Sequence, residues 1–123
     1  MAIVTLKDIR QPFGDTGVQI GSVEYGAMSM VSATWPPGFD ATELLRAACG
    51  DVPCPVPHYL YVVRGALAVT YTDDGSEEIA RGGEAAYLRP AHTIRILEDT
   101  EVFELSPADG NAHLMARIAA VSS

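Results

Sequence analysis

A chain of 123 residues that is 48% hydrophobic is long and apolar enough for one domain with a core of its own. Its net charge is −8, from 16 acidic and 8 basic residues, and its arginines stand singly, which excludes the positive stripe of a nucleic-acid binder. No apolar run approaches bilayer length, and MAIVTLKDIRQ at the start lacks a basic stretch ahead of an apolar core. A cytoplasmic protein without membrane contact is expected.

Ala2–Leu6 reads as a weak strand, and Gly14-Asp15-Thr16-Gly17 as a turn. Val18–Tyr25 alternates loosely, Gly26 breaks it, and Met28–Trp35 follows as a strand. On that strand Ser29, Val31, Ala33 and Trp35 share one face, with Met28, Met30, Ser32 and Thr34 on the other. Pro36-Pro37-Gly38 ends it, because proline cannot donate to a ladder. Asp40 through Glu43 has the form of a capping box opening a short helix near 41–48, with Gly50 at its exit. Three prolines alternate between Asp51 and Pro57, so this segment is a stiff extended lead-in that fixes where Cys54 and His58 point. Cys49 and Cys54 read as free thiols, or one of them as a metal ligand, because a reducing compartment disfavours a disulfide.

From Cys54 to Ser106 the chain is a series of short apolar runs between turn signals. Ala66–Tyr71 is rich in strand formers, Asp73-Asp74-Gly75-Ser76 is a hairpin turn, and Gly82-Gly83 closes the next run. Tyr87-Leu88, His92–Leu97 and Val102–Leu105 complete the set, a rhythm that predicts an all-β barrel or sandwich. Beyond Ser106-Pro107, Asp109 or Asn111 is placed to cap a final helix, about 109–121. Leu114, Met115, Ile118 and Val121 form its apolar stripe, and His113 reads as solvated.

Gly65 in VVRGALAV, the Asp74-Gly75 hairpin, Gly83-Glu84 and Leu88-Arg89-Pro90-Ala91-His92 stand at the mutual spacing of the two motifs of the cupin superfamily. Over roughly residues 28–107 the sequence resembles that family of small jelly-roll barrels. The resemblance implies an all-β, cupin-like double-stranded β-helix spanning 1–123, with a short helix near 41–48 and a C-terminal helix. It also implies a homodimer, for which the Leu114–Val121 stripe supplies a motive by covering a partner's strand edges.

The family's usual three-histidine, one-glutamate metal set does not carry over. Counting back from Gly65 puts His58 in the glutamate slot and Pro53 or Cys54 in that of the second histidine. Asp51 or Val52 takes the first, and the histidine of the second motif falls on Ile94, two residues past His92. Strand alternation offers a different set, since side chains at i and i+2 share a face. Cys54, His58 and His92 then converge near one barrel mouth, with a fourth position for water or Asp51. One thiolate and two imidazoles favour Zn²⁺ over Fe or Mn. Arg95 alternates outward from His92, and neither Glu101 nor Glu104 makes an obvious carboxylate pair.

The expectation is a divalent metal at Cys54, His58 and His92, with a small organic metabolite held by Met28, Met30, Leu60, Tyr87 and Ile94. The alternatives are a metal-free binding or sensing barrel, in which the histidines orient a ligand, and a structural partner protein acting through its dimer surface. No reaction and no catalytic residue are assigned.

Overall fold

The computed structural model describes residues 3–50 and 54–122. A 3-10 turn at Leu6–Ile9 is followed by β1 (Gln11–Pro12), β2 (Gln19–Tyr25), β3 (Met28–Trp35) and α1 (Thr42–Cys49). Next come β4 (His58–Arg64), β5 (Ala66–Tyr71), β6 (Glu77–Arg81) and β7 (Ala85–Leu88). β8 (His92–Ile96), β9 (Thr100–Pro107) and α2 (Ala108–Ser122) complete the chain. A six-stranded sheet, β1-β2-β3-β9-β4-β7, faces a three-stranded one, β6-β5-β8, and the pairings are antiparallel. The two sheets share one apolar core but are not closed by a continuous ladder. Ala33, Val62 and Val102 reach it from the larger sheet, Leu67, Val69 and Ile96 from the smaller.

Alternation decides what is inside. Along β9, Thr100, Val102, Glu104 and Ser106 are buried and the residues between them half-buried. Along β4, His58, Leu60 and Val62 are buried while Tyr59, Tyr61 and Val63 are exposed. Gly65, between β4 and β5, has φ +94°, and a Cβ there would lie 2.4 Å from the carbonyl oxygen of Asp99. Only glycine lets the chain double back at that point.

Several expectations shift. No strand occupies residues 3–5; Ala2 of the expected Ala2–Leu6 strand and residues 51–53 of the proline-rich lead-in, Asp51 among them, lie outside the described residues. Asp40 accepts hydrogen bonds from the Thr42 backbone N–H and hydroxyl, yet the residue at the helix boundary is Ala41, which makes no side-chain cap. The turn is therefore an Asx type rather than a capping box. β9 runs on through Ser106-Pro107, and α2 starts without a break. Asn111 does not cap it but is buried within it, its amide donating to the Ser29 hydroxyl at 3.2 Å. The α2 stripe turns inward: Leu114 and Ile118 are buried in a cluster with Leu45 of α1, Cys54 and Val56. It covers the chain's own barrel end, and of the four stripe residues Val121 is the one left exposed.

Ala91 carries a strained backbone. Its φ is +68°, the left-handed region that a non-glycine residue rarely adopts. Its N–H donates to Cys54 O at 2.7 Å and its carbonyl accepts from Thr72 N–H at 3.0 Å, so both sides hold it. A left-handed alanine costs about 1–2 kcal/mol, and a glycine regains most of that against a larger loss of chain entropy. Ala91→Gly is therefore expected to raise the unfolding free energy by roughly 0.5–1 kcal/mol in urea titration. A loss of stability would show that Ala91 is not strained.

Candidate metal centre

The site lies at the corner where the chain leaves β7 in one sheet and enters β8 in the other. His58 opens β4, opposite Leu88 of β7, and His92 opens β8, opposite Tyr71 of β5. Cys54 belongs to no strand, but it is bridged to β8. Its N–H donates to His92 O at 3.0 Å, and its O accepts from Ala91 N–H at 2.7 Å. Three positions separated in sequence thus meet. Sγ of Cys54 and one ring nitrogen from each histidine lie within 4.8 Å of one another. All three residues are buried.

The second ring nitrogen of each imidazole is already engaged. Nδ1 of His92 lies 2.7 Å from Arg89 O, which can only accept, so the proton sits on Nδ1 and Nε2 carries the lone pair. Arg89 is itself anchored, its guanidinium 3.8 Å over the Tyr71 ring and paired with Asp73 and Asp74. Nδ1 of His58 lies 2.6 Å from the Ser106 hydroxyl and 3.1 Å from Oε2 of Glu104. Nε2 of His58 then faces Cys54 Sγ at 3.3 Å. The two rings meet edge to face, with centroids 5.1 Å apart.

Burial drives all four titratable groups towards their neutral forms. It pushes the Cys54 thiol up to about 12, helped by the nearby Glu104 and Cys49 and opposed by a hydrogen bond to Val56. It lowers His58 to about 4, and it lowers His92 to about 4 against the hydrogen bond to Arg89. It raises Glu104 to about 7, against the hydrogen bond from Ser106. Burial thus keeps both imidazoles in the neutral form whose lone pair a metal needs, while the thiolate of Cys54 is poorly stabilised by the protein alone. That is the chemistry a bound cation corrects.

The donor set fits a tetrahedral metal. With Zn–S near 2.3 Å and Zn–N near 2.0–2.1 Å, neighbouring donors sit roughly 3.3–3.6 Å apart. The Cys54–His58 pair is within a few tenths of that, and the widest pair closes with a movement of about 1–1.5 Å. Both imidazoles present Nε2, His92 oriented through Nδ1 by the Arg89 carbonyl and His58 by the Ser106 hydroxyl with Glu104 behind it, as metal-bound histidines require.

The centre opens into a cavity of about 160 Å³ under α1 and α2. Of the residues expected to hold a ligand, Leu60 and Ile94 line it with the three site residues. Met28, Met30 and Tyr87 do not line it. The two methionines are half-buried on the outer face of β3, opposite the Ser29–Trp35 row that turns inward. Tyr87 is 54% exposed and stacks outside on Tyr59, ring centroids 5.2 Å apart. Arg95 points outward towards Glu77. Cys49 and Cys54 are both free thiols. Glu104, for which no carboxylate pair was expected, is a member of the site. The available signal was its place in the inward row Val102-Glu104-Ser106, a carboxylate on an otherwise buried face.

The pH dependence of the metal-free protein follows from these shifts. Between pH 6.5 and 4 the unfolded chain protonates His58 and His92 while the folded chain resists. Their stabilisation is present above pH 6.5 and lost on acidification, by up to about 1.4 kcal/mol per pH unit for each ring. Glu104 works in the opposite sense, adding stability below pH 4.5 that is lost as pH rises through about 7. Two imidazoles outweigh one carboxyl, so stability in chelator is expected to fall from pH 6.5 to 4. His92→Gln should show a shallower fall in urea titrations across that window; an unchanged slope would contradict the buried neutral ring.

No family model and no curated protein matches this sequence. Solved structures do. An RmlC-like cupin from Shewanella frigidimarina superposes with a TM-score of 0.64 at 14% identity, covering 87% of this chain and 90% of that one. The ectoine synthase of P. lautus gives 0.63 at 10% identity, with 87% and 78% covered. A polyketide cyclase from Streptomyces resistomycificus gives 0.62 at 16% identity, with 87% and 79% covered. With its two facing antiparallel sheets and the turn from Leu88 to His92 joining them, this chain has the cupin fold.

Proposed function

We propose that this cupin-fold protein binds one zinc ion through Cys54, His58 and His92 and holds a small organic molecule in the adjoining cavity. The observation that carries the reading is the convergence of Sγ and two ring nitrogens within 4.8 Å, in a buried pocket. A thiolate among the ligands favours zinc over the iron or manganese of an all-nitrogen and oxygen set. Zinc there would supply Lewis acidity, polarising a carbonyl or acidifying a bound water. Ser106, backed by Glu104, and Arg89 O hold the rings so that Nε2 faces the centre, and the walls of the cavity exclude water. The reaction stays open, since the fold is shared by proteins as different as an ectoine synthase and a polyketide cyclase.

A metal-free binding or sensing barrel is the second reading. What favours it is the Cys54–His58 contact at 3.3 Å, through which the thiol satisfies the imidazole without any ion.

Elemental analysis of protein purified without added metal separates the two. The expected result is close to one zinc per chain, lost in Cys54→Ala, His58→Ala and His92→Ala. Glu104→Gln, which keeps the ligands but removes the carboxylate behind His58, should weaken zinc by about 10–100-fold in chelator competition. Absence of metal from folded protein, with zinc failing to bind on addition, would overturn the zinc reading.

A further inference from the structure

The cavity beside the centre is small, and its walls are mainly apolar. Its volume, about 160 Å³, falls below the 300–1,000 Å³ typical of drug-sized sites. It is close to the roughly 150 Å³ of an apolar cavity that stays dry and takes up benzene. Ile20, Val31, Trp35, Leu60, Leu67 and Leu88 form its apolar walls. Among the described residues no lysine or arginine lines it. The titratable groups that do are Cys54, His58, His92 and Glu104, gathered where β4, β8 and β9 meet.

Charge then restricts the occupant. In the metal-free chain an organic anion would lose its water, find no cationic side chain and lie near the Glu104 carboxyl. An organic cation would meet two imidazoles, and at a loaded centre a divalent ion. Burying either without a partner is costly. An uncharged molecule meets neither cost.

We infer that the cavity is a preformed site for an uncharged, mainly apolar compound of benzene-like size, its single polar atom directed at the Cys54–His58–His92 cluster. In the metal-free chain an organic acid is thereby disfavoured. The inference rests on the proposed zinc site only for what the polar atom meets. Size belongs to the chain itself, and neutrality to its metal-free form, since a bound divalent ion would offer an anion a partner.

Trp35, the single tryptophan of the sequence, lines the cavity and reports on its contents. Its fluorescence is to be titrated in the full chain with toluene, benzyl alcohol, benzoate and benzylammonium, with calorimetry as a second readout. In metal-free protein, toluene and benzyl alcohol are expected to saturate, and both ions to bind at least about tenfold more weakly. Zinc should tighten benzyl alcohol and leave toluene unchanged. Ile94→Phe or Leu88→Phe should fill the space and abolish toluene binding while unfolding stays cooperative. Charged probes binding the metal-free protein as well as benzyl alcohol would overturn the inference, as would toluene binding undiminished in both folded, filled variants. Saturable toluene binding in a protein that takes up no zinc would support the cavity while removing the metal centre, so the two readings fail separately.

Discussion

The backbone bridge between Cys54 and His92 is the contact on which the site depends. Two hydrogen bonds, Cys54 N–H to His92 O and Ala91 N–H to Cys54 O, fasten a proline-flanked segment to the free edge of β8. They convert a separation of 38 positions in the numbering into a contact between two potential ligands. Residues 38–41 use the same edge, with Gly38 donating to Ile96 O and Ala41 to Ile94 O. Covering that edge satisfies its polar groups, and it also places α1 over the barrel mouth. Strain at Ala91 sits one residue before His92, in keeping with the tendency of such backbone to be held where a side chain must be aimed.

Electrostatics and packing reinforce one another. α1 and α2 bury Leu45, Leu114 and Ile118 over Cys54, and this burial keeps thiol, imidazoles and Glu104 near neutrality. Each of the four has a hydrogen-bonding partner, so the polar cluster sits inside an apolar end without orphaned groups. The arrangement leaves Sγ and two Nε2 atoms as the groups still able to take a further ligand. An apolar cavity adjoins them, and the same helices that cover the centre also wall that cavity.

Much of this was legible in the residues. Gly65, Asp74-Gly75 and the Leu88–His92 turn are backbone markers, and backbone geometry is what a glycine or a tight turn dictates most directly. The convergence of Cys54, His58 and His92 followed from a period of two along β4 and β8 plus a segment that proline kept extended. Which face of β3 looks inward was not legible, because both rows are largely apolar or small. Met28 and Met30 are as suited to a half-buried outer face as Val31 and Trp35 are to the core. Tyr87 follows the same logic, packing on an exposed tyrosine instead of a ligand. Glu104 was hidden for another reason. Its partners, His58 and Ser106, are a strand away and two residues along, and only the β4–β9 register brings the imidazole beside the carboxylate. The inward turn of α2 depended on α1 being there to receive it, a tertiary fact that the helix periodicity does not contain.

The central claim is that one thiolate and two imidazoles form a metal centre, and X-ray absorption at the zinc edge of the loaded protein tests it directly. The account predicts one sulfur scatterer near 2.3 Å and two imidazole nitrogens near 2.0–2.1 Å, with a lighter atom completing the shell. A first shell without sulfur would remove Cys54 from the centre and contradict the account.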